Sequence, residues 1–236
     1  MAITKKTVLL AGATGLVGNA ILQRCVADRK IAAIIVPTRR PVSIKHPKIR
    51  NIVMDLLDGE NGEPSPALSD AIAKASAGEI DSYISALGTT IKTAGSREAF
   101  ISLDRDLVCR FAEIAKQQNA QQVVFVSSVG ATRQADNFYL RVKGETEDLL
   151  ERMKFARVDI LRPGVLLGAR ADSRPGEAIA QKLSFIYNPL LQGPLRRYRA
   201  ITADAVAVAA LALLRKKDTG IFVHENAEMI GLAESR

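Results

Sequence analysis

Short apolar, β-branched runs recur along the chain at Thr7–Ala11, Ile31–Val36, Asn51–Met54, Ser82–Ala86, Val123–Val126 and Val158–Leu161, and they read as strands. Between them, apolar residues return at helical spacing over Leu16–Asp28, Ala67–Ala77, Arg97–Asn119 and Tyr139–Lys154. This strand–helix alternation predicts an α/β fold, a doubly wound parallel sheet of six strands with ligands at the strands' carboxyl ends. Beyond Gly168 the periodicity loosens as far as Arg199, which we read as a small substrate-covering lobe at roughly 168–200, and a further helix is expected over Thr202–Arg215. No repeat or shift of composition marks a second unit, so residues 1–236 are expected to form one domain.

Composition narrows the partners. The 236 residues are 47% hydrophobic and 25% charged, an ordinary globular balance, and 5% aromatic residues without Trp argue against a stacking platform for single-stranded nucleic acid. A formal charge of +8 favours an anionic partner, whether a nucleotide, an acidic substrate or nucleic acid. No nucleic-acid recognition motif accompanies that charge, so nucleic acid is not the expected partner; a small-molecule substrate is, together with a homodimer or a protein partner. The N-terminus runs from two lysines into a short apolar strand ending in glycines, without the features of a signal peptide, and the stretch Ala203–Leu214 is too short to span a membrane, so a cytoplasmic protein with no membrane segment is expected. Cys25 and Cys109 fall in amphipathic helical stretches and are expected to be buried, reduced thiols. His46 and His224 have no neighbours at ligand spacing; surface or edge positions and no metal site are expected.

The first strand leads into Gly12-Ala13-Thr14-Gly15-Leu16-Val17-Gly18, after which a helix begins. In that context the glycines have mechanical roles: Gly12 permits the tight turn, Gly15 lets backbone N–H groups approach a pyrophosphate, and Gly18 lets helix and strand pack closely. Gly12, Thr14, Gly15, Leu16, Val17 and Gly18 are therefore the expected pyrophosphate cradle of a Rossmann-type fold. An NAD-specific site carries an acid about 20 residues on, to bond the adenosine ribose hydroxyls. Here the second strand ends in Thr38-Arg39-Arg40, two guanidinium groups suited to a 2′-phosphate, so NADP(H) is expected in preference to NAD(H).

The strand Val123–Val126 runs into Ser127-Ser128, and Tyr139-Leu140-Arg141-Val142-Lys143 opens the following helix. At i and i+4, Tyr139 and Lys143 share a helical face, so the ammonium sits where it favours ionisation of the phenol. Tyr139 is the expected acid/base, Ser128 or Ser127 the hydrogen-bond donor to the substrate oxygen, and Lys143 the group that tunes Tyr139 and holds the nicotinamide ribose.

With Leu87-Gly88-Thr89-Thr90, Leu103-Asp104-Arg105-Asp106, Tyr139–Glu145, Leu161–Leu167 and Ser173–Glu177, these residues resemble the short-chain dehydrogenase/reductases, and more closely the atypical branch containing the Tat-interacting oxidoreductases and their bacterial relatives. The resemblance implies that Asp55 and Leu56 border the adenine, that Leu87, Gly88 and Thr89 line the cofactor, and that Gly164 and Val165 close over the nicotinamide. It also exposes a departure: where extended relatives place an Asn on the helix after the fourth strand, this sequence has Asp104, and an ionised carboxylate donates no hydrogen bond. The expected activity is oxidoreduction of a small carbonyl or alcohol with NADP(H). The alternatives are an NADP(H)-sensing scaffold without turnover and an NAD-dependent sugar-nucleotide epimerase. The arginines of Pro194–Arg199 are equally suited to an anionic substrate and to a solvated loop.

Overall fold

A computed structural model describes residues 5–167 and 193–234 of the chain. The substrate lobe expected at 168–200 lies outside the described residues except for its last turn, and the Ser173–Glu177 stretch lies wholly outside them. In chain order the elements are β1 (Lys6–Ala11), α1 (Leu16–Ala27), β2 (Ile31–Thr38), β3 (Ile49–Val53), α2 (Leu68–Ser76), β4 (Ser82–Ser85), α3 (Ile91–Ala94), α4 (Arg97–Ile101), a π-helical turn (Ser102–Asp106) and α5 (Leu107–Gln117). There follow β5 (Gln122–Val126), α6 (Phe138–Arg152), β6 (Arg157–Arg162), β7 (Leu166–Leu167), a 3-10 turn (Gly193–Tyr198), β8 (Ile201–Thr202), α7 (Ala203–Leu213), β9 (Gly220–Glu225) and α8 (Asn226–Glu234).

The main sheet has the order β3-β2-β1-β4-β5-β6-β9, with every pairing parallel. Both faces are covered, which explains why its strands read as continuous apolar runs rather than as alternating ones. In β1, Val8 and Leu10 enter the core formed with α1 and α7, while Leu9 and Ala11 enter the opposite core with α2 and α5. All four are fully buried. The chain reverses direction of travel between β1 and β4, opening a crevice at their carboxyl ends, and the Gly12–Gly18 turn and the Leu87–Thr89 loop emerge there.

Two features depart from the expected pattern. A seventh strand, β9, joins the sheet beyond β6; the apolar run Ile221–Val223 lies outside the six expected strands, and at this edge Ile221 and Val223 stand exposed while His224 is buried. His224 is thus on an edge, as expected, but it is no surface residue: its Nε2 meets Asp159 Oδ1 at 2.9 Å and its Nδ1 meets Glu228 Oε1 at 2.7 Å. The stretch Arg97–Asn119, expected as one uninterrupted helix, contains the π turn at Ser102–Asp106, where one extra residue per turn swings Asp104 into the interior. Cys25 and Cys109 are free and buried as expected, with burial pushing both thiols up to about 12.

Candidate active site

At the nucleotide end, backbone geometry carries the design. Gly12 adopts φ +83°, and a Cβ there would lie 2.5 Å from the Ala86 carbonyl group of the neighbouring strand's exit, so glycine alone fits. Gly18 is equally constrained, because its Cβ would stand 2.0 Å from the Gly12 oxygen; helix and turn meet there through bare backbone. Gly15 caps α1 without a side-chain hydrogen bond, and the first turn of α1 contains no acidic residue. The leading N–H groups therefore face the crevice with their partial positive charge unanswered by the helix itself. Thr14 and Gly15 are exposed at this mouth and Leu16 is half-buried, whereas the Val17 side chain is packed into the core, leaving only its backbone for a ligand.

Arg39 and Arg40 follow β2 directly and are both exposed; among the described residues neither forms an ion pair. Asp55 is exposed just past β3, and its Oδ1 accepts a hydrogen bond from the Leu57 N–H at 3.1 Å, which fixes that loop. Leu56 beside it is buried in the core under α2. A glycine turn that excludes side chains, a helix start without an acid and two unpaired guanidinium groups suit a dinucleotide with a negatively charged diphosphate.

At the other end of the crevice, α6 begins at Asn137, whose side chain accepts from the Leu140 N–H and sets the register of Tyr139 and Lys143. Tyr139 is half-buried, its ring tilted against Phe100 of α4 at a centroid distance of 5.9 Å. Lys143, one turn on, is buried: its Nζ stands 3.0 Å from Asp104 Oδ1, donates to the Leu87 carbonyl at 3.3 Å and lies 5.0 Å from the centre of the Phe125 ring. Burial opposes the Lys143 charge, but Asp104, Tyr139 and Glu147 together outweigh it and hold the ammonium above its ordinary range. Asp104 Oδ2 accepts from the Thr89 N–H at 2.9 Å, so one carboxylate ties the β4 exit loop to the lysine.

The neighbouring serines separate cleanly. Ser127 is buried and its hydroxyl donates to Glu147, which is also bound by Arg162, with Arg162 Nε donating to Glu147 Oε1 at 3.1 Å. Ser128 is only partly buried, and its Oγ makes a long 3.4 Å contact with the Val129 carbonyl. Of the two, Ser128 is the one with a hydroxyl to offer.

Leu87, Gly88 and Thr89 lie at the crevice floor, with Gly88 exposed. Gly164 and Val165 follow β6; Val165 is exposed, while Gly164 is clamped, its N–H donating to Asn226 Oδ1 at 2.9 Å and its Cα so close to the Arg199 carbonyl that a Cβ would come within 2.4 Å. Asn226 completes the clamp by donating through Nδ2 to the Arg199 carbonyl. Sequence reasoning missed this residue, since nothing marks an Asn after a strand as the partner of a glycine 62 positions earlier. The clamp also brings the 3-10 turn carrying Arg196 and Arg197 to the β6 exit; both arginines are exposed, and Arg197 Nη1 lies 3.9 Å from Glu225 Oε1.

A seven-stranded parallel sheet with this crevice defines an NAD(P)-binding Rossmann protein. The sequence matches the NAD(P)H-binding family over residues 12–217. It is 34% identical over 177 residues to Protein HTATIP2 of Rattus norvegicus, covering 75% of this chain and 69% of that protein. It is 31% identical over 224 residues to Protein FMP52, mitochondrial, of Meyerozyma guilliermondii, covering 94% of this chain and 92% of that one. Among solved structures, the short chain dehydrogenases/reductase YIR035C of Saccharomyces cerevisiae superposes with a TM-score of 0.67 over 94% of this chain and 96% of that one, at 15% identity, which is a likeness of fold. The chain belongs to the NAD(P)H-binding family and, within it, is an atypical short-chain dehydrogenase/reductase of the HTATIP2 family. No helix among the described residues is long and apolar enough to cross a membrane.

Proposed function

We propose that the chain is an NADP(H)-dependent oxidoreductase acting on a small carbonyl or alcohol. The observation that carries this reading is the placement of Tyr139 and Lys143 on one face of α6, with Lys143 bonded to the Leu87 carbonyl of the loop that borders the nucleotide crevice. Gly12, Gly15 and the start of α1 hold the diphosphate, and Arg39 and Arg40 hold the additional phosphate that distinguishes NADP(H). The bound nicotinamide supplies or accepts the hydride. Tyr139 exchanges the proton at the substrate oxygen, Ser128 donates a hydrogen bond to that oxygen, and Lys143 anchors the cofactor side of the pair. Tyr139 is half-buried with its ring tilted against Phe100, and among the described residues its hydroxyl makes no hydrogen bond, which leaves that group for a substrate.

Calorimetry with NADPH and NADH, followed by turnover of a carbonyl and alcohol library by wild type and Tyr139→Phe, tests the proposal. Binding of NADPH in preference to NADH, with turnover lost in the variant, is the expected result. Absence of binding to either dinucleotide, or equal turnover by the two proteins, overturns it. Fractionation of the producing cells addresses the remaining expectation, a cytoplasmic location.

A further inference from the structure

We infer that Arg197, with Arg196 beside it, is a specificity-determining residue: the pair receives a carboxylate about 10 Å from the reacting oxygen, so the substrate is an ω-oxo or ω-hydroxy carboxylate. The inference rests on the oxidoreductase reading above and names the substrate class of that same site.

The placement comes from strand order and register. β5, β6 and β9 are neighbours and all parallel, so their carboxyl ends open on one edge of the sheet. Val126 pairs with Leu161 and Arg162 with Glu225, which brings the exits toward Ser128, Gly164 and Asn226 to one level. Arg197 stands at the far exit. Its Nη1 lies 3.9 Å from Oε1 of Glu225, the last residue of β9, and its guanidinium lies over the Tyr198 ring at 5.1 Å from the centroid. From β5 to β9 is two strand spacings, which sets the guanidinium about 10 Å along the edge from Ser128.

Backbone contacts hold that distance. The Val129 N–H donates to the Pro163 carbonyl at 3.0 Å and ties the loop carrying Ser128 to the β6 exit. Gly164 then meets the Arg197 carbonyl so closely that a Cβ would lie 3.0 Å from it, and the Ile201 N–H donates to the Val165 carbonyl at 2.9 Å. The 3-10 turn is thus fastened to the strand that lies between serine and arginine. Val165, 43% exposed, presents an apolar side chain on that intervening exit, suited to the middle of an aliphatic chain.

The charge at the far exit is incompletely answered. Both arginines are exposed; among the described residues Arg196 forms no ion pair, and Arg197 has the loose contact with Glu225. A contact of that length between half-exposed groups is weak and readily exchanged. Arg162, the other cation near the β6 exit, is committed to Glu147. Two guanidinium groups against one carboxylate leave one positive charge for an incoming anion, and the planar fork of an arginine matches a carboxylate. In the reductive direction the distant carbonyl carbon takes a hydride from the reduced dinucleotide and its oxygen takes a proton. The products are the ω-hydroxy carboxylate and the oxidised dinucleotide, with the carboxylate unchanged.

The test uses the 236-residue chain with NADPH and three probes. They are 9-oxononanoate, whose extended chain covers about this span; its methyl ester, which has the length without the charge; and 4-oxobutanoate, which has the charge without the length. In wild type, kcat/KM for 9-oxononanoate should exceed that for either of the others by about tenfold, the scale of one charge-assisted hydrogen bond. Arg196→Gln/Arg197→Gln should lower the acid-to-ester ratio by about tenfold, and Glu225→Gln, which frees Arg197, should raise it by about threefold. Lys216→Gln/Lys217→Gln removes the same charge from another exposed stretch and should leave the ratio where it was. Equal kcat/KM for acid and ester, equal kcat/KM for the long and short acids, or a ratio that the arginine variant does not lower more than the lysine variant overturns the inference. Calorimetry with azelate in the presence of NADP+ needs no turnover: binding about tenfold weaker in Arg196→Gln/Arg197→Gln than in wild type supports the inference, and equal binding or none overturns it. If wild type consumes none of the three aldehydes, the proposed function falls and the azelate titration decides the inference by itself.

Discussion

The two ends of the crevice hold their cations in opposite states. Arg39 and Arg40 stand in solvent and, among the described residues, without a carboxylate, next to a backbone cradle shaped by Gly12 and Gly18. Lys143 is sealed in the interior with Asp104 at 3.0 Å, a backbone carbonyl and an aromatic face around it. A solvated guanidinium loses little by waiting for an anion, since water screens it until the ligand arrives. A buried ammonium cannot wait, because without a partner its desolvation would unfold or neutralise it. The nucleotide end is thus built to acquire a charge partner from outside, and the chemical end carries its own.

The comparison can be broken most sharply at Tyr139. Tyr139→Phe should lower kcat by about 10³-fold, within the range of a lost general acid, and leave the NADPH Kd unchanged by calorimetry. Next in size is the pairing itself: Lys143→Met strands the Asp104 carboxylate in the interior and should cost about 3 kcal/mol in urea unfolding, whereas the double variant Lys143→Met/Asp104→Leu should recover much of that loss. At the exposed end, Arg39→Ala/Arg40→Ala should weaken NADPH binding by about tenfold, leave NADH binding nearly unchanged, and leave the thermal midpoint where it was. Added salt should erode the NADPH advantage of wild type and have little effect on the variant.

The smallest effect concerns the β6–β9 edge. Burial lowers the proton affinity of His224, but its hydrogen bonds to the Asp159 and Glu228 carboxylates outweigh it and raise the group above the ordinary histidine value. A raised folded value means stability that is present below the unfolded value near 6.5 and lost as pH climbs through the folded one. Thermal midpoints should therefore fall modestly as pH is raised past about 6.5, and the His224→Gln protein should show a flatter profile over the same range.

Much of the frame was legible because burial on both sheet faces writes itself into sequence as continuous apolar runs: Val8–Ala11, Ile34–Val36 and Val123–Val126 are all interior. The glycine turn was legible for a related reason, since a Cβ at Gly12 or Gly18 collides with backbone and no other residue serves. β9 was less so, because its apolar run is only the three residues Ile221–Val223, two of them exposed at the sheet edge, and the residue buried next is the polar His224. The chemical end was half legible. Tyr139 and Lys143 advertise themselves by helical spacing, but the pairing of Lys143 with a carboxylate 39 positions earlier depends on a π turn that leaves the apolar periodicity of 97–119 looking unbroken. The division of labour between Ser127 and Ser128 depends on Glu147, a contact of tertiary origin.

The Asn226 clamp has a consequence for the far end of the polypeptide. A protein shortened to end before residue 226 would keep Ser128, Tyr139, Lys143 and the whole glycine turn, yet it would release the Gly164 amide and the Arg199 carbonyl together, and the β6 exit would lose its anchor. Trimming the C-terminus should thus register as a defect at the mouth of the crevice, in cofactor and substrate retention, before it registers in the folding of the sheet.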